Sequence, residues 1–255
     1  MVLYEKLGGR ATITIDEPER HNPMSAATMG GLLDAMRRAT HDHDVRVVVI
    51  TGAGEKTFSA GGDLGGGFVD SVLAGHEGRG ALASLFRQMR RCGKPTIARV
   101  NGHALGGGFG LAAACDITIA SDRATFGTPE INVGLWPMMI SAVLKSLVPR
   151  KALLDMMLTG RRFSADEAVQ LGIATRVVPH ADLDAEVDKV VDSLLALSPA
   201  ALALGKEAFY AIEDMGLDAA LDHLHIGLTA LSTTNDAREG VQAFVEKRSP
   251  EWRGR

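Results

Sequence analysis

Five short runs of β-branched and aliphatic residues punctuate the chain: RATITI (10–15), VRVVVITG (45–52), KPTIARVNG (94–102), CDITIAS (115–121) and IATRVVP (173–179). Stretches with helical spacing separate them, at about 26–39, 80–91, 107–114 and 139–148. Strands that alternate with helices pair through crossovers, so the fold class is α/β with a largely parallel sheet. VVVI and TIARV are apolar enough to be buried on both faces of such a sheet.

From residue 150 onward apolar residues at helical spacing dominate, and IATRVV is the one good strand. SADE (164–167) has the form of a capping box, with Ser164 able to cap and Glu167 able to reach back ahead of the helix AVQLG. Ser198-Pro199 opens another helix, because proline is tolerated in a first turn. Two more are expected near 217–231 and 236–247. With 255 residues, 46% of them hydrophobic, the chain can bury one large core or a core with a small appended unit. The division expected is an α/β core over 1–195 and a helical C-terminal region over 196–255.

The charge balance, 27 basic against 31 acidic side chains, gives no broad electrostatic reason to bind nucleic acid or an anionic membrane. Glu5 and Lys6 interrupt the opening MVLYEKLGG, where a secretory signal needs an apolar run, and no apolar run reaches the length of a membrane span. A cytoplasmic protein is expected. Cys92 and Cys115 lack metal-ligand spacing and read as reduced thiols, while His41 with His43 and His223 with His225 are spaced i,i+2 and read as solvated. No metal site is expected.

The chemistry-bearing segments are glycine-rich. NGHALGGGFGLAA (101–113) fails as a dinucleotide fingerprint, because counting from Gly106 the third required glycine is Leu111. No P-loop is present either, since Lys206 has Ala200 where the first glycine belongs and Glu207 where a hydroxyl belongs. Two readings remain for GGG: a strand-to-helix turn whose free amides stabilise an anionic oxygen, or tight packing of a small-residue helix on a sheet. KTFSAGGDLGGG (56–67) follows VRVVVITG in the same way, so two glycine turns leave strands that could be neighbours, each able to give one amide to a single oxygen. The third element is FGTPEINVGLWP (126–137), in which Glu130 sits among Ile131, Val133, Leu135 and Trp136. A carboxylate in apolar surroundings has a raised proton affinity, which suits proton transfer near neutral pH.

The segments ITGAGEKTFSAGGDL, KPTIARVNGHALGGGFGLAAACDITIAS, ATFGTPEINVGLWP and MMLTGRRFSADEAVQLGIATRVV together resemble the enoyl-CoA hydratase/isomerase (crotonase) superfamily, from HNPMS at 21–25 to AREGVQAFVEKRSP at 237–250. The resemblance implies a spiral of ββα units, and a helical C-terminal region that mediates trimerisation, often as a dimer of trimers. It implies an acyl-coenzyme A thioester as substrate, with coenzyme A part of that substrate and no separate cofactor. The thioester oxygen would accept from the amides of Gly62 and Gly107. Arg20 and the turn Ala60 to Leu64, with Asp63 in it, fall where relatives contact coenzyme A, although the lysine often found after that turn is Gly65 here.

Hydratases of this kind carry two glutamates, one shortly after GGG and one in the TPE loop. This chain keeps the second as Glu130 and has Gly110 in place of the first. With one carboxylate the simplest reaction is a proton shuttle that moves a double bond. Hydration through Glu130 with an ordered water, or with an acid from another loop such as Asp70, stays open beside it. A non-catalytic acyl-CoA binding protein is the alternative class. Outside this constellation, His103 reads as a strand-end structural residue, Asp63 as a cap for its turn and Asp116 as structural. Trp136, Met138 and Met139 suit either an acyl pocket or core packing.

Overall fold

The computed structural model describes residues 1–63 and 72–254. Among them the chain runs through β1 (Val2–Leu7), β2 (Arg10–Ile15), β3 (Pro23–Met24), α1 (Ala26–His41), β4 (Val47–Gly52), β5 (Thr57–Ser59), β6 (Gly61–Gly62) and α2 (Val72–Arg91). It continues with β7 (Thr96–Val100), β8 (His103–Leu105), α3 (Gly107–Ala113), β9 (Ile117–Ser121), β10 (Thr125–Gly127), α4 (Met138–Leu144) and α5 (Arg150–Thr159). Then come β11 (Arg162–Ser164), α6 (Ala165–Gln170), β12 (Arg176–Val178), α7 (Leu183–Leu195), α8 (Pro199–Ala211), α9 (Leu217–Ser232) and α10 (Asn235–Glu246).

The five predicted strands are all present, and together with β1 they form one six-stranded sheet in the order β1-β2-β4-β7-β9-β12. Its pairings are parallel except β1 with β2, which fold back on each other across Gly8-Gly9. β4 is buried at every residue, as its unbroken apolar run requires. Val48 and Ile50 face the main core with α1 and α3, while Val47, Val49 and Ile97 face a smaller cluster completed by Leu183, Val187 and Val191 of α7. The capping box at Ser164 and Glu167 is formed, with both reciprocal bonds in place.

A second sheet, in the order β11-β10-β8-β5, is built from strands of three residues each. The chain steps from a long strand of the first sheet to a short strand of the second and then into a helix: β4 to β5, β7 to β8, β9 to β10. Each step is a ββα unit. The glycine turns therefore leave β5 and β8, not the long strands β4 and β7 to which the sequence pattern assigned them. Three residues are too few for periodicity to reveal. β5, β8 and β10 are parallel neighbours, so their C-terminal ends emerge at one edge of the small sheet.

Two helix boundaries differ from the sequence pattern. α2 extends back to Val72 through Gly75, Gly78 and Gly80, residues of low helix propensity that hid its first half. The stretch expected as one helix to residue 148 ends at Leu144, and Pro149 precedes α5. The C-terminal helices are tied to the core through polar contacts. Asp116 accepts from Thr96 N and Oγ1, from Lys206 Nζ at 2.7 Å and from Tyr210 Oη at 2.8 Å, anchoring α8. Buried Asp236 accepts from Ser198 Oγ and from the amides of Arg253 and Gly254. Among the described residues no helix is long and apolar enough to cross a membrane.

Candidate active site

The first turn, Ala60-Gly61-Gly62, is held by the segment His21-Asn22-Pro23. Asn22 is fully buried and donates through Nδ2 to the carbonyls of Ala53 and Thr57, while its Oδ1 accepts from the Glu17 amide. The Ala60 amide donates to His21 O at 2.9 Å, and β3 then pairs in parallel with β6, Met24 opposite Gly62. Gly61 adopts φ +88°, and a Cβ there would lie 2.7 Å from Leu105 O and 3.2 Å from the Gly107 nitrogen. Only glycine lets the two turns approach so closely.

The second turn begins α3. Gly106 has φ +51° and ψ −125°, and Gly107 is the first helical residue, so its amide has no intrahelical acceptor. Phe109 of α3 packs edge-on against Phe126 of β10, both fully buried, which fixes α3 against the strand that delivers the third element. After β10, Pro129 starts a short 3-10 turn through Val133 that carries Glu130. The Glu130 carboxyl group lies over Gly106, where an added Cβ would come 2.8 Å from Oε1.

Ala60, Gly62, Gly107 and Glu130 line one cavity of about 970 Å³, with Met24, Leu82, Trp136, Met138, Met139 and Ile140 among its apolar walls. Trp136, Met138 and Met139 thus face the pocket. Glu130 Oε2 is buried with no hydrogen-bond partner among the described residues, and burial raises the carboxyl group above the ordinary glutamate range. That is the state of a group able to hold and release a proton near neutrality. Arg79 of α2 also lines the cavity, and among the described lining residues it and Glu130 are the only charged side chains. Sequence reasoning missed Arg79; its signal was a lone arginine between Gly78 and Gly80.

Arg20 and Asp63 form an ion pair, Nη2 to Oδ2 at 2.8 Å, and Arg20 also reaches Glu17 at 3.0 Å. Both lie next to the first turn rather than in the cavity lining. Leu64, Gly65 and Asp70 lie outside the described residues. His103 Nδ1 is 2.8 Å from Thr125 Oγ1, bridging β8 to β10, and burial lowers its proton affinity, which fits a structural residue. Cys92 and Cys115 are free and buried.

Comparison with known proteins places this arrangement. The model of the family described as enoyl-CoA hydratase/isomerase matches residues 5–255. Carnitinyl-CoA dehydratase of Salmonella typhi is 36% identical over 248 residues, covering 95% of this chain and 94% of that protein. The crystal structure of human enoyl coenzyme A hydratase domain-containing protein 3 superposes with a TM-score of 0.95 at 32% identity, covering 98% of this chain and 99% of that one. An enoyl-CoA hydratase structure from Mycobacterium smegmatis gives a TM-score of 0.94 at 34% identity, covering 98% of each.

Proposed function

The chain belongs to the enoyl-CoA hydratase/isomerase family and is an enzyme of it, and from that premise we propose that it moves the double bond of an enoyl-CoA thioester with Glu130 as its single acid/base. The thioester oxygen accepts hydrogen bonds from the amides of Gly62 and Gly107. Glu130 removes the α-proton of a β,γ-unsaturated acyl chain, and the electron pair spreads through the double bond to the thioester oxygen. Returning the proton to the γ-carbon regenerates the carboxylate and leaves the double bond at α,β. Two aligned amide donors act on the charge as it develops, where losing one typically costs about 3 to 4 kcal/mol.

The observation that carries this reading is that Glu130 is the sole carboxylate among the described cavity-lining residues, raised by burial and placed against the turn that presents Gly107. A second reading is hydration, which the names of the relatives favour: one is an enoyl-CoA hydratase and the other a carnitinyl-CoA dehydratase, which add or remove water on a CoA thioester. The purified protein incubated with 3-hexenoyl-CoA and with crotonyl-CoA, each reaction followed separately, decides between them. Isomerisation well above hydration supports the proposal. Hydration alone selects the second reading, and turnover of neither refutes both.

Coenzyme A enters as part of the substrate, with Ala60, Asp63 and Arg20 on its approach, and the enzyme needs no separate cofactor. It works in the cytoplasm, without nucleic acid or membrane as partner. The C-terminal region, residues 196–255, serves to assemble a homotrimer or a dimer of trimers. Its support is the exposure of Phe209, Leu217, Ile226 and Phe244, each at least 70% accessible in the single chain, an apolar surface of the kind that marks an interface.

A further inference from the structure

Gly110 lies one turn into α3, and the space a side chain would need there is already filled. A Cβ built on Gly110 would lie 2.2 Å from Cγ2 and 2.7 Å from Cβ of Ile140, and 3.3 Å from Cζ of Phe86. Carbon atoms at rest sit about 3.5 to 4 Å apart, so the first two approaches are collisions. Relief is not available through a rotamer change alone, because the nearer atoms include the Cβ of a β-branched residue in α4, whose χ1 is stiff in a helix. Ile140 is 3% exposed and lines the catalytic cavity, whereas Gly110 is absent from that lining. The isoleucine therefore stands between Gly110 and the substrate space.

We propose that Ile140 determines the reaction: it closes the cavity wall that a second carboxylate on α3 would otherwise reach, and so commits the bound enolate to reprotonation through Glu130. Two physical effects act together. While Ile140 is in place, no side chain at position 110 can enter the cavity. An aliphatic wall also offers a water molecule none of the two to four polar partners it needs to be held for attack. Hydration requires that water and a group to activate it, whereas double-bond transfer requires neither. The inference rests on the proton-shuttle reading of Glu130 given above.

The test compares the wild type with Gly110→Glu, Ile140→Ala and the double variant, measuring thermal midpoints together with isomerisation of 3-hexenoyl-CoA and hydration of crotonyl-CoA. Gly110→Glu alone should lower the midpoint, and adding Ile140→Ala should recover part of the loss, making the two changes non-additive. In the double variant the ratio of hydration to isomerisation should rise at least about tenfold over wild type, within the range that a placed acid/base group supplies. A Gly110→Glu protein as stable as wild type, strictly additive midpoints, or a double variant with the wild-type ratio overturns the role of Ile140. If the double variant does not fold, Gly110→Ala with and without Ile140→Ala isolates the Cβ collision, and a Gly110→Ala midpoint equal to wild type overturns it as well. Failure of the underlying reading looks different: the wild type itself then shows no isomerisation, and the role of Ile140 in the reaction falls with it.

Discussion

Glutamine at position 130 separates the two consequences of burying a carboxylate. The substitution keeps the size of the side chain that lies over Gly106 but removes the exchangeable proton and the charge. If Glu130 moves the proton, turnover should fall by about 10² to 10⁴, equivalent to about 3 to 5 kcal/mol in the barrier. Stability should move the other way. Burial raises the carboxyl group in the folded protein, and its Oε2 has no partner among the described residues, so the folded state holds this proton more tightly than the unfolded chain does. Below the unfolded value, about 4.3 for glutamate, both states are protonated and glutamine gains nothing. As pH rises from there through the raised folded value, the unfolded chain releases its proton first and wild-type stability declines relative to the variant. Above the folded value the difference is constant, at about 1.4 kcal/mol for each unit by which the group is raised. Urea unfolding of both proteins at one fixed protein concentration, from pH 4.5 to pH 8, reads that opening gap. In parallel, wild-type kcat/KM on 3-hexenoyl-CoA should climb with pH through an apparent pKa above the usual glutamate range. A loss of activity under tenfold, or a stability difference that does not change with pH, refutes the reasoning.

Other substitutions probe the frame around the site. Gly106→Ala forces a Cβ onto a residue at φ +51° and to within 2.8 Å of Glu130 Oε1; it should cost about 1 to 3 kcal/mol of stability and most of the activity, measured by urea midpoints and the isomerase assay. Asn22→Ala removes the three side-chain bonds by which this buried residue holds the first turn at a residue with φ +52°. A loss of about 2 to 4 kcal/mol is expected, with a lower kcat because Gly62 loses its brace. Asp116→Ala leaves the Lys206 ammonium, on a side chain only 8% exposed, without its carboxylate, its remaining oxygen contact being the Lys94 carbonyl at 2.9 Å. It should destabilise the fold by about 2 to 4 kcal/mol while leaving kcat per folded molecule unchanged, since Asp116 is remote from the cavity lining. Sedimentation of the 27.0 kDa chain should give three or six times that mass, and Phe244→Asp, at a side chain 86% exposed in the single chain, should lower it.

The large sheet was legible because β4 opens on the unbroken apolar run VVVI and β7, TIARV, is apolar enough to be read with it as a buried strand. The small sheet was not, because β5, β8 and β10 hold three residues each and carry no period of their own. That misplacement moved the glycine turns onto the wrong strands but not to the wrong edge, since each short strand directly continues a long one. Glu130 could be singled out from its apolar neighbours, and its burial without a partner agrees with that cue. Asn22 was harder: its role depends on contacts with Ala53 and Thr57, distant in sequence. Gly110 announced a missing carboxylate, yet nothing in its surroundings pointed to Ile140, because which residue backs a helix is a property of packing between α3 and α4.

This division of labour bears on how one fold can host different reactions. The six-stranded sheet, with β4 at its centre buried at every residue, supplies the rigidity against which strained or unsatisfied groups can be held. Gly106 in its left-handed turn and Glu130 with a buried oxygen unpartnered among the described residues are both unfavourable locally, and both sit on connections from the small sheet rather than in the large one. Exchanging such groups leaves the apolar layers of β4 and β7 untouched. The pair Gly110 and Ile140 follows the same logic one step further out: two helix positions in contact, neither of them in a strand, set whether a second acid can reach the substrate. In this chain a second carboxylate therefore calls for paired substitution between α3 and α4, because the carboxylate alone collides with Ile140 and the vacated isoleucine alone leaves Glu130 as the one carboxylate among the described cavity-lining residues.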